Sequence, residues 1–144
     1  MDTHWEQQFL NYRKALSKLT VAITLFKPNE EDNLELEEVD DLLKDGLIQR
    51  FEYTHELSLD VIKAFAASQG NNALKGARDI TREGINLGLI TDAEEWMAML
   101  ETRKETLHMY KEETADEIFE KTLETYYLLF LKFEENMEEI LNSK

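Results

Sequence analysis

The 144-residue chain contains no cysteine, one proline and five glycines. The lack of cysteine excludes disulfides, thiolate zinc sites and cysteine nucleophiles together. So little Pro and Gly leaves scant material for the turn-rich connections of a β fold, and a composition rich in Leu, Glu, Lys and Ala favours long helices. No apolar stretch approaches the roughly 18 residues that a bilayer span requires. The opening Met1-Asp2-Thr3-His4 is neither basic nor followed by an apolar signal segment, so the expected location is cytoplasmic. Positive charge is scarce, with 16 Lys and Arg against 31 Asp and Glu and a net charge of −15. Such a chain repels nucleic acid at long range, and contact with RNA needs a local basic site or a partner that supplies the positive charge.

What the chain does have is helical periodicity. Trp5, Phe9, Tyr12, Leu16, Leu19, Ile23 and Phe26 recur at spacings of four and three, which places them on one helical stripe. Thr3 followed by Glu6 is a capping-box start, and Pro28 is a stop. The region from Lys27 to Asp41 is dominated by acids and reads as a solvated loop and outer helix face rather than a docking surface for a basic partner. A second long helix is predicted from near Leu34 to Gln69, bent at Gly46 and closed by a left-handed Gly70. A polar loop over 68–76 leads to a short helix over Ala77–Leu87 ended by Gly88, and Thr91 with Glu94 opens the next helix, which carries Trp96, Met97 and Leu100. The last helix, predicted from about Glu113 to Leu141, repeats the four-and-three pattern through Phe119, Leu123, Tyr126, Phe130, Phe133, Met137 and Ile140. The expected architecture is one all-α domain over 1–144, an up-and-down four-helix bundle with an additional short helix. The run from Tyr126 to Leu131 is apolar nearly all round, more than one internal face can bury, and predicts a homodimer.

Two spacings, Glu52-x-x-His55 and Glu105-x-x-His108, match the Glu-x-x-His motif of di-metal carboxylate bundles. Those bundles need an inward Glu from each of two further helices, and the apolar stripes of the first and last helices contain none. The spacings are therefore read as accidental, and no metal or cofactor is expected. His55 follows Phe51 by one turn in an apolar helix and reads as a hydrogen-bonded core or groove histidine. His4, in the first turn, carries no assigned role.

The segment Arg103-Lys104-Glu105-Thr106-Leu107-His108-Met109-Tyr110 differs, because it gathers a guanidinium, an imidazole and a phenol at the junction between two helices. On an unbroken helix Arg103 and His108 would stand about 140° apart, so they converge only if the helix ends or kinks between them. RNA cleavage through the 2′-hydroxyl needs a proton acceptor that titrates near neutrality and a cation to hold the phosphate as charge builds. His108 suits the first role and Arg103 the second. A surface Arg beside a capping His is the alternative that residue chemistry leaves open.

Three segments carry a resemblance that goes further: Leu47 to Leu57, Gly76-Ala77-Arg78-Asp79 through Gly88-Leu89-Ile90, and Trp96 through Arg103, Thr106, His108 and Tyr110. In this order the chain resembles the HEPN family, in the branch of nucleotidyltransferase substrate-binding proteins, and is similar to the HepT-type toxins of two-gene toxin and antitoxin modules. The last segment has the family's Arg, four residues, His, any residue, Tyr. The resemblance implies a dimeric bundle whose shared cleft is lined by signature residues. It implies Arg103 and His108 as catalytic groups of a metal-independent ribonuclease, with Arg103, Lys104 and Thr106 contacting RNA or nucleotide. It further implies Tyr110 as the residue to which a minimal nucleotidyltransferase partner adds AMP. Lys104 departs from the small polar residue, most often Asn, that usually follows the family's Arg. The alternative implied by the same family is a non-catalytic nucleotide- or substrate-binding subunit of a two-component nucleotidyltransferase.

Overall fold

The computed structural model describes residues 3–25, 37–105 and 112–143. Among them the chain is helical throughout, apart from its connections: α1 (His4–Leu25), α2 (Glu37–Ser68), α3 (Gly76–Asn86), α4 (Ala93–Glu105), α5 (Glu112–Lys121) and α6 (Tyr127–Asn142). A π-helical turn over Thr122–Tyr126 joins α5 to α6 without a break, so that these three segments form one rod.

Cross-helix contacts fix the directions. Trp5 meets Phe65, and Arg50 Nη1 donates to the Lys18 carbonyl at 2.7 Å, so α1 and α2 are antiparallel. Arg13 pairs with Glu134 and Thr20 bonds Tyr127, which sets α6 antiparallel to α1. Trp96 against Phe133, and Thr102 against Tyr126, run α4 antiparallel to the α5–α6 rod. This is the expected up-and-down four-helix bundle, with α3 as the additional short helix.

The two predicted stripes build its core. Trp5, Phe9, Tyr12, Leu16 and Leu19 are buried from α1, and Tyr126, Phe130, Phe133 and Met137 from the rod. Ile23, Phe119, Leu123 and Ile140 are partly buried against the same cluster. Phe26, the Pro28 stop and most of the acidic stretch lie outside the described residues. Gly70 at φ 98° and Gly88 at φ 77° take the left-handed conformation that ends α2 and α3, because a side chain there would crowd the backbone. Regular spacing gave no sign of the π-turn in the last helix. Thr122 sits inside it, its hydroxyl donating to the Ile118 carbonyl at 2.7 Å, and Tyr126 turns its phenol to α4.

Only part of the apolar run in α6 is covered. Tyr126, Leu129 and Phe130 are buried, whereas Leu128 and Leu131 remain 59% and 36% exposed.

Candidate functional site

The last turn of α4 carries Arg103 and Lys104. Its position is set by what precedes it: Trp96 is wedged against Phe130 and Phe133, and the hydroxyls of Thr102 and Tyr126 lie 2.6 Å apart in the interior. With Thr102 fixed inward, the next residue points along the α2 side of the bundle. There Arg103 Nη1 donates to Glu52 Oε2 at 2.9 Å, and both side chains are 25% exposed.

Glu52 and His55 are three residues apart on α2 and share its face. His55 is 1% exposed, stacked on Phe51 with ring centroids 6.4 Å apart and tilted against Trp96 at 6.2 Å. The expectation of a buried histidine holds, but the expected hydrogen bond does not: neither ring nitrogen has a partner among the described residues. The cage around it is aromatic, and the nearby cation is engaged by Glu52. Burial pushes the imidazole down to about 4, with the charge of Arg103 adding to the fall, so the ring is neutral at physiological pH. Glu52 is perturbed in the other direction. Burial raises its carboxyl above the ordinary carboxylate range, outweighing the opposing pull of the Arg103 charge and hydrogen bond.

Of the residues that the sequence singled out, Arg103 is half-buried in this corner. Lys104 lies on the exposed side of α4, 3.5 Å from Glu101, whose carboxylate also takes Arg78 at 2.7 Å. Thr106, His108 and Tyr110 lie outside the described residues, as does the predicted break between Arg103 and His108; α4 continues through Arg103 to Glu105. Among the described residues no three His, Asp or Glu side chains gather as a metal site would require. The Arg103–Glu52 pairing is what sequence reasoning missed. Glu52 stands in a metal-like spacing and in the Leu47 to Leu57 segment, and its partner comes from another helix 51 positions along. A single chain carries no signal for that registration.

A groove between α1 and the start of α2 is lined by Val21, Ala22, Leu25, Leu42, Leu43, Gly46, Leu47 and Arg50. Its one charged group, Arg50, is committed to the Lys18 carbonyl. This groove offers apolar surface rather than chemistry.

The fold is an all-α four-helix bundle in which Arg103, in the last turn of α4, is tied across to Glu52 of α2 beside the aromatic cage of His55. The chain belongs to the nucleotidyltransferase substrate binding protein-like family, whose model matches residues 7–139. It is 36% identical over 85 residues to a Haemophilus influenzae protein named as a probable ribonuclease HepT, a match spanning 56% of this chain and 58% of that relative. Among solved structures it is similar to a Haemophilus influenzae protein described as having the fold of a substrate-binding domain of a nucleotidyltransferase. There the TM-score is 0.77 at 25% identity, with 90% of this chain and 98% of the other covered.

Proposed function

We propose that this chain is a HEPN-type ribonuclease toxin that works beside a minimal nucleotidyltransferase antitoxin. The observation that carries the reading is Arg103, a guanidinium held half-buried in a corner where a second ionisable group is kept neutral. Perturbed titratable groups gathered around a fixed cation are a mark of functional sites. In this reading His108, five residues on, removes the proton from the RNA 2′-hydroxyl, whose oxygen bonds to the adjacent phosphorus as the P–O5′ bond breaks, leaving a 2′,3′-cyclic phosphate and a 5′-oxygen that takes up a proton from water; Arg103 binds the phosphate and offsets the charge that builds on it. Lys104 and Thr106 assist in holding RNA. AMP added to Tyr110 places a bulky anion two residues from His108, repelling RNA phosphate and blocking the site. The protein acts as a homodimer, and exposed Leu128 and Leu131 are the surface we assign to that contact. Leu128→Glu is expected to convert a sedimenting dimer to monomer; a wild type that sediments as a monomer at micromolar concentration contradicts the assignment.

A non-catalytic substrate-binding subunit of the same pair is the second reading, favoured by Lys104 and by the description of the solved relative as a substrate-binding domain. Expression of this chain alone separates the two. The toxin reading predicts growth arrest, lost with His108→Ala and relieved by co-expression of the nucleotidyltransferase. Normal growth with abundant soluble protein favours the binding subunit.

A further inference from the structure

We propose that Glu52 is the positioning residue of the Arg103 site: by accepting a hydrogen bond from Nη1 it holds the guanidinium in one orientation for an incoming phosphodiester. The inference rests on the assignment of Arg103 as the phosphate-binding group. An arginine at the end of a helix has several rotatable bonds and, left to itself, samples many orientations. Here both ends of the contact are anchored. Glu52 is in the middle of α2, next to buried Phe51, and Arg103 follows Thr102, whose hydroxyl is locked against Tyr126.

The energetics point to function rather than stability. Burial raises the Glu52 carboxyl, while the Arg103 charge and hydrogen bond pull it the other way. A half-buried pair gives up hydration on both sides, so it contributes little to holding a fold, while its fixed geometry suits it to setting the direction of a charge. The Arg78–Glu101 pair on the outer face of α4 is shorter, at 2.7 Å, but its side chains are 47% and 55% exposed, so water competes for both groups. His55 is neutral and bonded to neither member of the Glu52–Arg103 pair, so from this stretch of α2 it is the carboxylate of Glu52 that aims the guanidinium.

The test compares wild type with Glu52→Gln and Glu52→Ala in the full chain. The first readout is nitrogen NMR of the Arg103 guanidinium. Slow, restricted Nη exchange is expected in wild type, near-wild-type behaviour in Glu52→Gln, which keeps an acceptor, and free rotation in Glu52→Ala. The second is cleavage of an RNA oligonucleotide. Here kcat/KM should fall on the order of tenfold to a hundredfold in Glu52→Ala, chiefly through kcat, and recover to within about threefold in Glu52→Gln. In an Arg103→Ala background the Glu52→Ala change should have no further effect. Wild type that cleaves no RNA defeats the ribonuclease reading but not this one; inorganic phosphate titrated against the Arg103 resonances then decides it, with weaker binding expected for Glu52→Ala. An equally ordered guanidinium in Glu52→Ala overturns the proposal. So does tighter anion binding or faster cleavage, which would make Glu52 a competitor for the cation, or a fall in melting temperature with cleavage unchanged.

Discussion

Tyr12 and His55 are both sealed inside one bundle against one aromatic cluster, yet they are treated differently. Tyr12 stands edge-on to Phe130 and Phe133, and its hydroxyl donates to the Phe130 carbonyl at 2.7 Å. Burial, with Glu134 adding to it, lifts its pKa well above the ordinary phenol value, so it remains a neutral donor with its bond made. His55 is stacked on Phe51, whose ring lies 6.0 Å from that same Phe130, and neither of its two ring nitrogens has a partner among the described residues. Unmade hydrogen bonds in an interior cost stability, typically about 1–3 kcal/mol each. The α1–α6 seam is therefore built for stability, whereas the α2–α4 corner tolerates an unsatisfied imidazole and a desolvated carboxylate beside Arg103.

Phe130 belongs to both regions, touching Tyr12 on one side and Phe51 and Trp96 on the other. Phe130→Ala is expected to cost about 3–5 kcal/mol in urea unfolding and to loosen the seam and the corner alike. A loss confined to one region would show that the cluster is not shared.

His55 gives the next largest effect, and it depends on pH. The unfolded chain takes up the imidazole proton near 6.5, the folded chain only near 4, so the unfolded state binds more protons between those values. Stability tied to neutral His55 is fully present above pH 6.5 and is lost as pH falls toward 4, by about 3 kcal/mol. His55→Leu should remove that component. The difference in urea midpoint between variant and wild type should widen in the variant's favour from pH 7 to pH 4.5, and a constant difference would refute the buried neutral ring.

On the satisfied side, Tyr12→Phe should cost about 1–2 kcal/mol with no pH dependence below pH 9, as one hydrogen bond is lost with little change in shape. Arg78→Ala, which removes an exposed partner of Glu101, should shift the midpoint by less than about 0.5 kcal/mol. A larger loss would mean that this exposed pair helps to hold α3 against α4 despite its solvation.

The sequence made the frame legible because helical stripes are local: spacings of four and three in α1 and in the last helix named residues that the core does bury. Gly70 and Gly88 marked helix ends for the same reason, since a left-handed turn is a one-residue property. The α2–α4 corner was less legible. His55 could be placed inside from its neighbours, but whether its nitrogens found partners depended on Trp96 and Arg103 arriving from another helix. The π-turn was missed because it leaves the apolar spacing intact while redirecting Tyr126 to Thr102. Arg103 stood out from local chemistry and family resemblance; Glu52 lay in a metal-like spacing and in a resembling segment, but neither pointed to Arg103 as its partner.

Cleavage itself tests whether Arg103 and His108 form the metal-independent RNA-cutting site we propose. Purified chain incubated with total RNA and a metal chelator should produce discrete fragments. Arg103→Ala and His108→Ala should each lower the rate by more than about a hundredfold, with melting temperatures within a few degrees of wild type. Undiminished cleavage by His108→Ala, or intact RNA after incubation with fully folded wild type, would contradict the claim and leave the substrate-binding subunit as the better account.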